Sequence, residues 1–314
     1  MDIIEKIAEN IEKVILGKRL EIFQILKGVI SGGHILLEDV PGVGKTMFVK
    51  VLAKSFNMDF SRIQFTPDLL PSDITGVSIF NQKKAEFEFR KGPVFSNIIL
   101  ADEINRTSPK TQSALLEAME EYQISEGNAT YHLEKPFIVV ATQNPIEFEG
   151  TYKLPEAQLD RFMMRIRIGY AATADETRIL QQHSKEIPFE MIKPVASSAD
   201  LIKIQNEVRK IIVSEKISAY IADICRRTRE NKYISLGLST RGALALQRIS
   251  QATAYLNKRK YVIPEDVKEN IFFITEHRII LSEIAEASEV TKDTVIKNII
   301  NSVPVPAPQN EYKI

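Results

Sequence analysis

The groups that could do chemistry lie in one run, Pro41-Gly42-Val43-Gly44-Lys45-Thr46-Met47, and in a carboxylate pair further along, Asp102-Glu103. A lysine and a hydroxyl that directly follow a glycine-rich turn are suited to holding a polyphosphate with its divalent cation. Amides of the turn and of the next helix's first residues carry partial positive charge, the ammonium reaches the β- and γ-phosphates, and the hydroxyl ligates Mg2+. The strict pattern G-x-x-x-x-G-K-[ST] is broken once, because Asp39 stands where the first glycine belongs. Asp102 is placed to hold Mg2+ through water, and Glu103 to polarise an attacking water as general base. The chemistry these residue types point to is hydrolysis of a bound nucleotide by in-line attack of water on its γ-phosphate.

Those groups need strands that end at them. Ile35-Leu36-Leu37 reads as a buried strand running into the loop, and Met47, Phe48, Val49, Val51, Leu52 and Ala53 give the following helix an apolar face. Ile98-Ile99-Leu100-Ala101 is a second apolar run, delivering Asp102 and Glu103 at its end. Phe137–Ala141 is a third, followed by Thr142-Gln143-Asn144. Ligands of open α/β sheets sit outside the carboxyl ends of the strands, so Asn144 is placed to touch γ-phosphate or water. A strand is expected near Ser61–Phe65. Phe162–Ile168 alternates apolar residues with Arg165 and Arg167, as an edge strand with one wet face does. Amphipathic helices are expected over 2–15 and about 19–30, and Ser108-Pro109 reads as N-cap and first position of another. Val77–Phe80 and Glu86–Phe89 form a hairpin across Asn81–Lys84. Its Phe87 and Phe89 either pack on the core or face a pore or partner. A second hairpin joins 123–125 to 130–133. From Thr173 onward the pattern is all-helical, and a Pro-rich extended tail begins at Ser302.

Composition narrows the class. A chain of 314 residues with 44% hydrophobic content suits two ordinary domains or one large one. With 41 basic and 41 acidic residues the formal net charge is zero, which argues against a broad nucleic-acid-binding face. The one cysteine, Cys225, falls in the helical apolar series Ile217, Tyr220, Ile221, Ile224 and reads as a buried structural thiol. No apolar run is long enough to span a membrane, and the first residues form a charged amphipathic helix instead of a signal peptide, so a cytoplasmic location is expected.

Four ordered segments, LLEDVPGVGKT, ILADEINRTSPKTQSALLEAMEE, VVATQNPIEFEGTYKLPEAQLDRF and LGLSTRGALAL, resemble the MoxR family of AAA+ ATPases. The resemblance covers about residues 3–300, and the Asp39 form of the loop is common in that family. It implies an α/β fold: an AAA+ P-loop domain with a five-stranded parallel αβα sheet over 1–170, a hairpin insertion near 74–92, a helical lid over 171–301 and a tail over 302–314. It assigns Asn144 as sensor 1, Arg161 as arginine finger and Arg241 as sensor 2; Arg106 sits at a family-typical position without a clear role. The cofactors implied are ATP/ADP and Mg2+. The family's activity is that of a chaperone-like homo-oligomeric ring, often hexameric, which remodels or activates partner proteins, among them proteins with a von Willebrand A domain. Two other readings compete, a AAA+ motor acting on nucleic acid and a nucleotide-gated binding module with little turnover. Zero net charge weighs against the first, and Glu103 with Asn144 and two arginines against the second. Arg161 follows the turn and helix at 155–160, on the far side of the sheet from Lys45, and is assigned to a neighbouring subunit's site.

Overall fold

The structure is a computed structural model that describes residues 3–40, 42–127, 129–144, 152–183 and 189–306. The chain divides into two compact units, Met1–Gln205 and Asn206–Ile314. The first opens with helices α1 (Ile3–Glu12) and α2 (Arg19–Ile30), strand β1 (Ile35–Glu38), α3 (Lys45–Ser55) and β2 (Phe60–Gln64). Next come α4 (Pro71–Thr75), the hairpin β3 (Gly76–Asn81) and β4 (Glu86–Lys91), β5 (Ile98–Asp102) and α5 (Pro109–Glu121). A second hairpin, β6 (Gln123–Glu126) and β7 (Ala129–His132), precedes β8 (Ile138–Gln143), α6 (Glu156–Leu159), β9 (Met164–Ile166) and α7 (Thr173–His183). The division between the units falls inside α8 (Ser198–Arg209).

The five main strands make one parallel sheet in the order β2-β5-β8-β1-β9. Every residue of β5 is buried, as are the first three of β1 and the first five of β8. Such strands read as unbroken apolar runs because helices cover both faces of a parallel sheet. The outer strand β9 alternates buried, half-buried, buried, in keeping with its edge position. Because β5, β8 and β1 are neighbours running the same way, their carboxyl ends bring Asp102, Asn144 and the loop before Lys45 to one edge of the sheet. At the start of α5 the Ser108 hydroxyl accepts the Thr111 amide and Pro109 takes the first helical position, as the sequence predicts.

The boundary lies beyond the 170/171 position that the sequence reading gives, because the chain after β9 stays bonded to the first unit. Lys54 donates to the Phe189 carbonyl (3.1 Å), the amides of Val195 and Ala196 to the Ser55 carbonyl, and the Gln205 side chain to the Val29 carbonyl (2.9 Å). Helical periodicity identifies a helix without saying which unit it joins.

The hairpin β3–β4 divides the two readings of its aromatics. Phe89 stacks on Tyr131 of β7, ring centroids 4.1 Å apart, and meets Phe95 edge-on, so this residue packs inward. Phe87 is 73% exposed and touches its cross-strand partner Phe80, itself 51% exposed, near the tip. Of the two alternatives, packing describes Phe89, which is half-buried against Tyr131 and Phe95, and exposure describes Phe87.

In the second unit, α9 (Glu215–Glu230) buries the predicted series Ile217, Tyr220, Ile221, Ile224 and Cys225, and α10 (Thr240–Leu256), α11 (Pro264–Thr275), α12 (Glu283–Ala287) and α13 (Lys292–Ser302) follow it. Cys225 is buried in α9, and burial pushes its thiol up to about 11, which keeps it protonated and inert. The all-helical expectation fails in the second unit. Strands β10 (Ile234–Leu236) and β11 (Ile280–Leu281) pair antiparallel, and the Ser282 amide donates to the Tyr233 carbonyl. Segments of three and two residues are too short to display a two-residue period. Helix α13 ends at Ser302, where the tail is expected to begin; residues 307–314 of that tail lie outside the described residues.

His34, just before β1, is a buried structural histidine. Its Nδ1 accepts the Val139 amide (3.0 Å), which fixes the proton on Nε2, and Nε2–H donates to the Met119 carbonyl (3.1 Å). Burial lowers its pKa to about 4 from an ordinary 6.5. Below pH 6.5 the unfolded chain binds a proton that the folded chain refuses, so this contribution is intact above that pH and is lost as pH falls towards 4. At pH 5 the loss amounts to about 2 kcal/mol. Denaturant unfolding at pH 7 and pH 5 is therefore expected to show a larger drop for the wild type than for His34→Asn, whose amide does not titrate. Equal drops would contradict this.

Candidate functional site

Two left-handed glycines build the loop between β1 and α3: Gly42 has φ 85° and Gly44 φ 83°, conformations that a side chain resists. Neither Cβ position would meet another atom within 4 Å, so backbone conformation, not crowding, selects glycine at both. Helix α3 then starts at Lys45, presenting the unpaired amides of its first turn. Asp39 does something no glycine could. Its Oδ2 accepts the amides of Ile168 (2.6 Å) and Gly169 (2.7 Å), and Oδ1 accepts that of Val40 (3.1 Å). The root of the loop is thereby tied to the chain leaving β9, which explains the departure from the strict motif.

Lys45 Nζ donates to the carbonyls of Asp39 (2.7 Å) and Val40 (3.3 Å), folded back along its own loop. Burial lowers its pKa, while Asp39, Asp102 and Glu103 act in the opposite direction. Both oxygens of Asp102 are engaged. The Thr142 hydroxyl donates to Oδ1 (2.7 Å), and Arg62 donates to Oδ2 from Nη2 (2.6 Å) and Nε (3.0 Å). Glu103 has left-handed backbone (φ 58°, ψ 50°), a conformation that costs a non-glycine residue about 1–3 kcal/mol and recurs at functional sites. Its amide donates to the Thr142 hydroxyl (2.8 Å), and its Oε2 accepts from Gln64 Nε2 (3.0 Å) and Arg106 Nη1 (2.9 Å).

A polar cavity of about 400 Å³ gathers Gly42, Gly44, Lys45, Thr46, Met47, Asp102, Glu103 and Asn144, eight of the residues singled out from sequence, and adds Lys50. A second, largely apolar cavity of about 580 Å³ shares Gly42, Gly44 and Met47 with it and takes in Val43. Its walls come from Val14–Leu16, Gly169–Ala171 and the α7 residues Ile179 and Leu180. Arg106 is not in the cavity lining but grips Glu103 from the turn at Ile104–Arg106. Arg161 sits before β9, 2.9 Å from Glu120 Oε2 of α5. Arg241 lies in the first turn of α10, in the second unit. Pro41 lies outside the described residues.

Sequence reasoning missed Arg62, Gln64, Thr142, Lys50 and the apolar cavity. Arg62 and Gln64 left a signal, since two polar residues at a two-residue spacing near a strand's end face the same way. Thr142 left a weaker one, a hydroxyl at the tip of a buried strand. Nothing in its spacing separates Lys50 from a solvated lysine.

The donor set suits a small hard cation. Thr46 offers a hydroxyl and Asp102 a carboxylate beside the same cavity, and Asp102 already pairs with one cation, the Arg62 guanidinium. One or two carboxylates completed by phosphate oxygens and water are the usual Mg2+ environment in such sites.

Residues 34–164 match the family described as "ATPase family associated with various cellular activities (AAA)", and residues 226–299 match the AAA lid domain. The chain is 48% identical to the uncharacterized protein YeaC of Bacillus subtilis, over 98% of this chain and 96% of that one. It is 38% identical to Chaperone MoxR1 of Mycobacterium tuberculosis, over 96% and 82% of the two chains. A crystal structure from Cytophaga hutchinsonii, described as that of a candidate ATPase, superposes with a TM-score of 0.90 at 46% identity, covering 97% of this chain and 95% of that one.

Proposed function

Because the chain belongs to the MoxR family of AAA+ ATPases, we propose that it binds ATP across the two joined cavities and hydrolyses it in the polar one. The observation that carries this reading is the convergence of Lys45, Thr46, Asp102, Glu103 and Asn144 on one space at the carboxyl ends of adjacent strands. The apolar cavity suits a flat base, and the shared loop residues Gly42 and Gly44 lie where the phosphates would run from one cavity into the other. Loop amides and the α3 N-terminus hold the phosphates, and Lys45 exchanges its loop carbonyls for phosphate oxygens. When bound between Thr46 and Asp102, Mg2+ would neutralise charge developing on the phosphate oxygens. Among the described residues both bonds to the Glu103 carboxylate fall on Oε2, which leaves Oε1 to take a proton from the attacking water. Asn144 orients that water or the γ-phosphate.

The wider role assigned here is that of a chaperone-like remodeller or activator of partner proteins, working as a homo-oligomeric ring, hexameric by family resemblance. Partners with a von Willebrand A domain are the first to test. A motor on nucleic acid would show ATPase stimulation by added DNA; the remodeller reading expects none.

Glu103→Gln tests the chemistry. It keeps size and shape but loses the base, so ATP is expected to bind within a few-fold of wild-type affinity and to turn over at least about 100-fold more slowly. A drop of less than a few-fold would remove Glu103 from the mechanism.

A further inference from the structure

Resting on the assignment of Asp102 to the cation, we propose that Arg62 is a resident counter-charge that competes with Mg2+ for this carboxylate and so sets the site's affinity for the metal. The two donors on Asp102 are unlike in kind. Thr142 is buried and neutral, and its hydroxyl on Oδ1 also receives the Glu103 amide, so it is part of the frame. Arg62 carries a full positive charge and places two N–H groups on the single atom Oδ2. A divalent cation approaching from the Thr46 side meets a carboxylate already neutralised, with a guanidinium within a few ångströms that repels it. Loading is therefore opposed for as long as Arg62 holds Oδ2.

The fold allows that release. Strand β2 is an edge strand of the sheet, and the Arg62 side chain is 45% exposed, whereas that of Asp102 is 11% exposed. The flexible partner can swing into water, while the carboxylate stays fixed by Thr142. Arg62 also donates to Gln64 Oε1 from Nη2, so its position beside Asp102 is held at two points. A buried positive partner would block the site. A half-exposed one lowers affinity and keeps the acidic carboxylate neutralised between rounds of loading.

The test is Mn2+ binding to the full chain carrying one equivalent of ADP, read from the loss of the free-ion paramagnetic resonance signal. Arg62→Met keeps the aliphatic stem and removes the charge. It is expected to tighten Mn2+ binding about two- to fivefold, the range for removing a half-exposed ion-pair partner. Arg62→Lys, which keeps charge without the fork, is expected to fall between the two and serves if the methionine variant does not fold. Asp102→Asn should weaken Mn2+ binding, and in that background Arg62→Met should tighten it less than it does in the wild type, because only the through-space repulsion is left to remove. Equal or weaker Mn2+ binding by Arg62→Met, with the Asp102→Asn effect intact, would overturn the role of Arg62 alone. Mn2+ binding indifferent to Asp102→Asn would overturn the metal assignment of Asp102 and the proposal with it.

Discussion

Arg161→Ala is expected to lower ATP turnover by about a thousandfold or more while leaving nucleotide affinity nearly unchanged, the signature of an arginine finger supplied by a neighbouring chain. The expectation comes from where the parallel sheet puts the residue. Arg161 precedes β9, and two residues later the Met163 amide donates to the carbonyl of His34, which directly precedes β1. Arg161 therefore stands at the amino ends of the strands, and the Lys45 loop leaves from the carboxyl end of β1. The four residues of β1 alone separate those ends by about 13 Å. The guanidinium lies against Glu120 on α5, not in the polar cavity. In the proposed ring, such an arginine is expected to act on a nucleotide held by another copy. Arg161→Ala mixed with Lys45→Ala should then regain part of the activity, because some sites pair an intact loop from one variant with an intact finger from the other. Recovery should grow with total protein concentration. If mixed assemblies form and recover nothing, Arg161 acts within its own chain or only structurally.

Lys45→Ala should abolish measurable ATP affinity and turnover together. Lys45 lines the polar cavity beside Asp102 and Glu103, and these carboxylates would repel a triphosphate without an ammonium between them. The remaining loop amides attract phosphate with partial charges only, and Lys50, which also lines the cavity, lies a full helical turn further along α3. Calorimetric titration with Mg·ATP reads the outcome. Wild-type affinity in the variant would refute the assignment of the loop as the phosphate site.

Much of this arrangement is legible in the sequence because it is local. Strand, glycine turn, lysine and helix follow one another without interruption, and a buried parallel strand announces itself as an apolar run that stops at its functional residue: Ala101 before Asp102, Ala141 before Thr142. What stayed hidden depends on contacts between distant segments. The grip of Arg62 and Gln64 on Asp102 and Glu103 requires β2 to lie next to β5, and pairing order cannot be read from one strand's composition. The purpose of Asp39 appears only once the chain after β9 returns beside the loop. Phe87 and Phe89 share a type and a two-residue spacing, and the presence of Tyr131 and Phe95 beside one of them decides which is covered.

Phosphate release from Mg·ATP by the purified wild-type chain, counted against the number of nucleotide-binding sites, tests the central claim most directly. Sustained release over many equivalents per site, lost in Glu103→Gln while ATP still binds, is the predicted result. Stoichiometric ATP binding with no phosphate beyond one equivalent per site would contradict it and make the chain a nucleotide-gated binding module.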